Sequence, residues 1–290
     1  MKFYNWLQDS CGQLAEFAIL IGALSLPFLL DFQYTVVVPD NPTLDPLALV
    51  VYYAVRGGNV YIGVVLLFMT IAAFHRLNRS RTLNRGNRYH DHTMLWYWLC
   101  SKILGYGTCS LVRVPIATQF KLVLNDTFDK YDCGEITEES DKDDLIEASP
   151  LPDSADFPSS SDQPGEVNLL ISDTFPIGFE LLPDACRENA AVTVRRIANT
   201  TSFARRYSPK LVDDVTNVVR KLPPGSRVNV FATTNPKNTY EIVEKAFKTG
   251  GRDNLNALYV YKQQDGQSKD AWRFVEAVKI YDRPQSRECR

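Results

Sequence analysis

An apolar stretch near the N-terminus limits the folds open to this chain more than any other feature. Residues 14–30 read LAEFAILIGALSLPFLL, with Glu16 and Ser25 as the polar interruptions. A membrane-spanning helix needs about 20 mainly apolar residues to cross a hydrocarbon core of about 30 Å. The stretch is just long enough, so it predicts a first membrane span. A cleaved signal peptide is the alternative, and the lack of an A-x-A-like site after the stretch disfavours it.

A second apolar stretch follows and is interrupted. Residues 47–55 are apolar, residues 56–59 read RGGN, and residues 60–74 are apolar again. The last part alone is short for a bilayer, so this helix borrows residues before the glycine pair or runs tilted and kinked. Residues 1–75 therefore form a predicted two-span transmembrane hairpin. The alternative, two core helices of a soluble protein, would require this apolar length to be buried inside a small chain.

A run of arginines predicts the orientation of the hairpin. It follows the second stretch directly and consists of Arg76, Arg79, Arg81, Arg85 and Arg88, with no acidic residue before Asp91. The connecting residues 31–46 carry three aspartates and neither Lys nor Arg. Because Lys and Arg accumulate beside the cytoplasmic ends of membrane spans, we expect a multi-pass membrane protein with both termini cytoplasmic.

The same arginines allow two further interpretations. They can bind anionic headgroups of the lipid bilayer, at about 1 kcal/mol for each residue, which is compatible with a role in topology. They can also contact nucleic acid or another polyanion. The run lies against the membrane and lacks interleaved aromatic residues, so we expect no specific nucleic-acid binding.

Two segments of different composition follow the hairpin. Residues 76–124 form a basic and aromatic juxtamembrane segment, and the aromatic triplet at residues 96–98 favours a helix lying in the membrane interface. Packing of these rings in a soluble core is the alternative. Residues 110–124 favour an extended conformation, which Pro115 ends or confines to a sheet edge. Residues 125–165 are acidic and rich in Pro and Ser, which predicts a flexible linker or, as a second option, a clasp onto the arginines.

Residues 166–290 alternate strand and helix patterns. Residues 167–172 read VNLLIS, a buried strand, and residues 192–197 are a weaker strand candidate. Ser208 as N-cap and Pro209 at the first helical position begin a strongly amphipathic helix. Residues 272–280 fit either a helix or a strand.

The later part of this region predicts a β-α-β unit over residues 227–261. Residues 227–232 and 258–261 are strand-like, and the apolar spacing between them is helical. Parallel pairing with a right-handed crossover is expected. The complete fold is thus an N-terminal α-helical transmembrane hairpin and a C-terminal cytosolic α/β domain with a mostly parallel sheet in a Rossmann-like three-layer arrangement.

Polar residues follow two of the predicted strands, where ligands bind in open α/β sheets. The candidate ligand-binding residues are Asp173, Thr174, Thr233, Thr234, Asn235, Lys237 and Asn238. Asn238 and Glu241 have the spacing of a capping box, so the backbone N–H groups at this helix start favour an anion such as phosphate. Ordinary helix capping is the alternative interpretation.

The chemistry available to residues 166–290 is limited by the lack of histidine there. The three histidines are His75, His90 and His92, so Ser-His-Asp and Cys-His nucleophile schemes are excluded from this region. The sequence has neither a P-loop nor a dinucleotide-binding glycine pattern, and its His and Cys residues lack metal-ligand spacing. We expect no metal and no cofactor, and catalytic residues stay unassigned. Carboxylate chemistry through Asp173 or Asp184 is left open.

Three functions are compatible with these features. The first is a membrane-anchored sensor or effector, whose cytosolic domain binds a small anionic or nucleotide-like ligand and signals through self-association as a homo-oligomer. The second is a membrane scaffold or assembly protein that recruits a protein partner. The third is an enzyme that processes a nucleotide or sugar with carboxylate chemistry. We favour the first, which requires no catalysis.

Overall fold

The computed structural model describes residues 2–30, 46, 49, 52, 58–86, 88–136, 144–150, 165–198, 206–249, 255–264 and 272–283. The chain forms two compact units. Residues 1–109 and 128–131 form the first, called the hairpin unit, and residues 110–127 and 132–290 form the second, called the α/β unit. Most of the predicted connection between the spans, and residues 56–57 of the predicted interruption, lie outside the described residues.

Two long helices dominate the hairpin unit. Helix α1 spans Lys2–Leu30 and helix α2 spans Gly58–Asn78. Two windows, Ser10–Leu30 and Gly58–Asn78, are long and apolar enough to cross a membrane, and 17% and 11% of them are buried within the chain. The core helix of a soluble protein would be mostly buried, so these exposed apolar surfaces support the two predicted spans.

The two helices touch closely at a glycine. A Cβ atom placed on Gly63 of α2 would lie 2.5 Å from the backbone oxygen of Leu24 in α1. Small residues let helix backbones approach in this way, and dispersion contacts between closely packed helices stabilise membrane bundles. A Cβ atom placed in the same way on Gly22 of α1 would have no neighbouring atom within 4 Å.

A buried carboxylate joins the middle of α1 to the end of α2. The Oε1 atom of Glu16 accepts hydrogen bonds from Arg81 Nη1 at 2.6 Å and from the Tyr106 hydroxyl at 3.2 Å. Its Oε2 atom accepts from Asn78 Nδ2 at 3.1 Å, and Asn78 also donates to the Leu104 carbonyl at 2.9 Å. Because a buried carboxylate is stable only with such partners, Glu16 fixes the level at which the two helices meet.

The rest of the hairpin unit is small. Helix α3, Met94–Lys102, begins at the N-cap Thr93, whose side chain accepts from Trp96 N. Strands β1 (Thr82–Leu83), β2 (Thr108–Ser110) and β3 (Lys130–Asp132) form a three-stranded sheet in that order. The aromatic triplet lies on helix α3, with Tyr97 buried and Trp98 exposed. The position of this helix in the membrane interface stays a prediction.

The α/β unit contains one six-stranded sheet in the order β4-β6-β5-β7-β8-β9. Its strands are β4 (Asp144–Ala148), β5 (Glu166–Ser172), β6 (Ala190–Ala198), β7 (Ser226–Ala232), β8 (Leu255–Gln263) and β9 (Phe274–Asp282). The four central strands pair in parallel, whereas β4 and β9 pair antiparallel at the edges. The α/β fold is confirmed, but the sheet is mixed, and the predicted Rossmann-like arrangement is not confirmed.

Two helices of this unit, those that begin at Pro209 and Pro236, bury the apolar faces that the sequence indicated. The α-helices described in this unit are α4 (Ile116–Leu124), the short α5 (Asp184–Arg187), α6 (Pro209–Lys221) and α7 (Pro236–Ile242), which continues as a π-helix over Val243–Thr249. Ser208 caps α6 by accepting from Leu211 N at 3.1 Å, as predicted. A separate buried cluster includes Leu170, Phe231 and Phe274.

One segment of the α/β unit was predicted wrongly. Residues 116–124 form helix α4 rather than an extended strand. The alternation of Phe120 and Leu122 resembled a strand, but Phe120 and Val123 also lie on one helical face, and Phe120 packs on Phe247 with ring centroids 5.5 Å apart. Tertiary packing therefore decided between two periods that the short sequence allowed.

Two further segments differ from the predicted domain plan. Strand β4 lies within residues 125–165, the predicted linker, and pairs with β6 from Asp144 opposite Ala198 to Ala148 opposite Val194. The compact α/β unit also begins at residue 110, before the predicted start at residue 166. Strand β9, Phe274–Asp282, takes up most of residues 272–280, whose pattern was ambiguous.

The Gly63 contact predicts unequal effects of one substitution at two glycines. Gly63→Ala should lower the melting temperature of the full chain in detergent micelles, because the new methyl group meets the backbone of α1. Gly22→Ala is the control and should leave the melting temperature unchanged or raise it, since Ala favours a helix over Gly by about 1 kcal/mol. Equal stabilisation by both substitutions would contradict the close approach at Gly63.

Candidate ligand site at the carboxyl edge of the sheet

The ends of two neighbouring strands bring most of the predicted site residues together. Strands β5 and β7 pair in parallel, so the residues after Ser172 and after Ala232 leave the sheet side by side. The Thr174 backbone N–H donates to the Thr233 carbonyl at 3.1 Å, and the Thr233 hydroxyl donates to the Phe175 carbonyl at 2.7 Å. Both turns are thereby held together at the edge where open α/β sheets bind ligands.

Asp173 is the centre of a buried polar network at this edge. Its Oδ2 atom accepts from Asn235 N at 3.2 Å, Asn235 Nδ2 at 3.1 Å and Asn238 Nδ2 at 2.8 Å. Its Oδ1 atom lies 2.8 Å from Arg196 Nε, and both side chains are almost inaccessible to solvent. Burial raises the pKa of the Asp173 carboxyl, while the charge of Arg196 and the amide donors oppose this change.

The two asparagines also hold a separate backbone segment. The Arg206 carbonyl accepts from Asn235 Nδ2 at 2.8 Å and from Asn238 Nδ2 at 3.1 Å. Ser208 N donates to Asn238 Oδ1 at 3.0 Å, directly before helix α6. One carboxylate therefore connects the end of β5, the start of α7 and the segment that leads into α6.

The cap of helix α7 is one turn earlier than the predicted capping box. Asn235, not Asn238, is the N-cap, and its Oδ1 atom accepts from Asn238 N at 2.9 Å. Pro236 occupies the first helical position and has no N–H, which suits that position. Glu241 does not cap the backbone as the predicted capping box required. Its Oε1 atom lies 2.7 Å from Lys237 Nζ. The N–H of Asn238 is thus engaged within the chain and does not face an open anion site.

Lys237 is the most accessible charged member of the predicted set. Its side chain is about one third exposed and its ammonium lies 5.3 Å from the ring centroid of Tyr207 and 5.6 Å from that of Tyr240. Partial burial acts to lower the pKa of Lys237, but the hydrogen bond and charge of Glu241 outweigh this and raise it. The side chain therefore stays cationic at neutral pH. Thr234 turns inward and shares a hydrogen bond with Thr239 at 2.7 Å.

An exposed aromatic pair stands at the same edge and was not predicted. Phe175 follows β5 and Trp272 precedes β9, and their ring centroids are 5.0 Å apart. The side chains are 44% and 53% exposed. The pair arises because antiparallel β9 begins beside the end of β8, with Phe274 opposite Gln263. The sequence signal was weak, since the pattern of residues 272–280 was compatible with a helix.

Arg196 is not among the predicted site residues, although it pairs with Asp173 at the centre of the network. It lies in β6 directly after Arg195, which pairs with Ser172 at the end of β5. A buried guanidinium requires a carboxylate partner, and Asp173 is 23 residues away in sequence. The five predicted lipid-contacting arginines, Arg76, Arg79, Arg81, Arg85 and Arg88, belong to the hairpin unit and are exposed there.

Comparison with known proteins gave one family match. The model of the SMODS- and Ubiquitin system-associated 2TM effector domain family, SUa-2TM, matches residues 16–275. No curated protein matches the chain.

Solved structures similar to the chain include two of the Acinetobacter baumannii Cap4 SAVED/CARF-domain containing receptor. One is with the cyclic trinucleotide 3'3'3'-cAAA, at 7% identity, and one with 2'3'3'-cAAA, at 6% identity, each with a TM-score of 0.39. They cover 63% and 64% of this chain, which spans 41% of the length of each.

The Asp173 network predicts that two similar substitutions have very different effects on stability. Asp173→Asn should lower the free energy of unfolding by about 3–5 kcal/mol, because it removes the carboxylate that faces the buried Arg196 guanidinium at 2.8 Å. Asp184→Asn is the matched control, since Asp184 pairs with Arg187 at 2.8 Å but its side chain is 92% exposed. We expect the control to change stability by no more than about 1 kcal/mol. Urea titration of the full chain measures both, and equal small losses would contradict a structural role for the network.

Proposed function

The chain belongs to the SMODS- and Ubiquitin system-associated 2TM effector domain family, and from this premise we propose how it receives its signal. It is a membrane effector whose α/β unit senses a small anionic, nucleotide-like ligand at the carboxyl edge of the sheet. The response passes to the two spans, which act through self-association. The two apolar helices and the family together make the chain a membrane protein.

One observation carries the ligand proposal: a cation and an exposed aromatic pair stand at the same edge of the sheet. Lys237 supplies positive charge for a phosphate group, and Phe175 with Trp272 supplies rings for stacking. Base stacking on aromatic side chains contributes about 1–3 kcal/mol for each base. A nucleotide combines an anion with a flat base, so it suits this pair of features better than a simple anion does.

The buried network offers a way for ligand binding to move distant elements. Asp173 bonds the start of α7 through Asn235 and Asn238, and the same asparagines hold the Arg206 carbonyl before α6. A ligand that shifts Lys237 shifts the first turn of α7. Because the network is buried and its bonds are shared, this shift is transmitted to the end of β5 and to α6.

The other two functions are less well supported by the geometry. A scaffold needs a protein-binding surface but no cation at the strand ends. The scaffold function would be favoured if no small ligand binds. An enzyme would need an accessible carboxylate, whereas both oxygens of Asp173 are engaged with neighbouring side chains. Asp184 is exposed and pairs with Arg187 on the short helix α5.

We place the α/β unit and both termini in the cytoplasm. This proposal rests on the exposed arginines after α2, which we assign to the cytoplasmic side of the membrane.

Ligand binding is tested best with two lysines on one helical segment. Lys237→Gln should abolish the rise in melting temperature that a bound nucleotide gives to the full chain in detergent. Lys245→Gln is the control, because Lys245 lies two turns further along and also approaches Glu241, at 3.9 Å. The probes are a panel of nucleoside phosphates and cyclic oligonucleotides. The absence of any shift across the panel would favour the scaffold function instead.

The stacking part of the proposal has its own test. Trp272→Ala should weaken binding of the active nucleotide at least about tenfold, as expected for the loss of one stacked base. The same substitution should leave the binding of inorganic phosphate unchanged. Calorimetry on the full chain measures both affinities, and an unchanged nucleotide affinity would remove the aromatic pair from the site.

The topology is tested by a reporter fused after Arg290. A reporter that is active only in the cytoplasm should be active, and one that requires export should be silent. Replacing the five arginines by glutamine should reduce this preference, since the positive charges set the orientation. Activity of the exported reporter in the unaltered chain would overturn the assignment.

A further inference from the structure

The hairpin unit contains a polar cavity that the ligand proposal does not use. Its volume is about 190 Å³, far more than the roughly 30 Å³ that one water occupies in the liquid. The side chains that face it include Ser10, Gln13, Arg81, Arg85, His90 and His92. Both histidines are buried, at 2% and 9% exposure.

The charges around the cavity favour an anion. Two arginines contribute to its wall. Arg81 Nη1 donates to Glu16 Oε1 at 2.6 Å and to Asn78 Oδ1 at 2.8 Å. Arg85 bonds a neutral group, the Thr82 hydroxyl, at 3.4 Å. Glu16 does not face the cavity. Arginine and imidazole N–H groups are the donors that proteins use most effectively for phosphate oxygens.

A buried hydroxyl gives an independent indication of a ligand. Ser10 is 1% exposed, faces the cavity, and its Oγ atom has no hydrogen-bond partner among the described residues. Buried polar atoms in folded proteins nearly always have a partner. A polar group inside the cavity would supply it.

The cavity lies beside the membrane-spanning part of α1. Ser10 precedes Glu16 by six residues, or about 9 Å along the helix axis, and Glu16 is joined to the end of the second span. The cavity is therefore close to the polar contacts that join α1 to the end of α2, and Arg81 and Arg85 of the arginine run face it. We infer that this cavity binds a phosphate group, carried either by an anionic lipid headgroup or by a soluble phosphate compound. The inference is independent of ligand sensing by the α/β unit.

The test uses the full chain in a neutral detergent at fixed pH and about 150 mM salt, where diffuse charge attraction is screened. The probes are inorganic phosphate, dioctanoyl phosphatidic acid and dioctanoylglycerol, which matches the lipid but lacks phosphate. Phosphatidic acid should raise the melting temperature and dioctanoylglycerol should not. A shift with the lipid alone assigns the site to a headgroup, and a shift with inorganic phosphate alone assigns it to a soluble compound.

Two variants connect any shift to the cavity. Gln13→Glu preserves the shape of the side chain and places a negative charge at the wall, so it should abolish the shift. Arg85→Gln changes an exposed residue that does not endanger folding and should weaken binding about tenfold, the effect of one charge-assisted hydrogen bond.

Arg79→Gln is the matched control for Arg85→Gln. It removes the same charge from the same run, but Arg79 does not face the cavity, so phosphate binding should be unchanged. Equal losses in the two arginine variants would show general attraction to the run and overturn the inference. No shift with either phosphate probe, or a full shift in Gln13→Glu, would overturn it as well.

Discussion

The buried ion pair between Asp173 and Arg196 constrains most of the α/β unit. Two opposite charges out of water are tolerated only when every remaining lone pair and N–H finds a partner. The amides of Asn235 and Asn238 donate to the Oδ2 atom of Asp173, and they can do so only if the first turn of α7 lies against the end of β5. The position of this helix relative to β5 is therefore set by the same carboxylate that pairs with Arg196.

Elements with a strong local signal could be predicted from the sequence. Helix α6 has a Ser-Pro start and one apolar face, and the β-α-β unit from β7 to β8 is bounded by turn residues, so local rules sufficed. The prediction for α4 was wrong because its nine residues fit both a strand period and a helix period. Packing against Phe247 decided for the helix. The mixed sheet also depends on distant pairing, since β4 joins β6 across about fifty residues.

The candidate site also contains residues that local sequence rules identified and residues that depend on distant pairing. The rule that ligands bind at the carboxyl ends of parallel strands identified Asp173 and the residues after β7. It applies because neighbouring parallel strands end at the same edge of the sheet, whatever their side chains. The predicted helix cap was misplaced by one turn, since both Asn235 and Asn238 are good capping residues and only the position of Pro236 distinguishes them. The aromatic pair could not be foreseen, because Phe175 and Trp272 meet only through the antiparallel pairing of β9.

Helix α1 is longer than a bilayer requires. Its 29 residues measure about 44 Å at 1.5 Å per residue, against about 30 Å of hydrocarbon. Glu16 is bonded to polar side chains of the hairpin unit, and the helix after it is mostly apolar. Helix α1 is continuous over Lys2–Leu30, with Pro27 near its end. A displacement of Glu16 by its partners is therefore carried to the apolar residues that follow through a single helix, with no loop to absorb it.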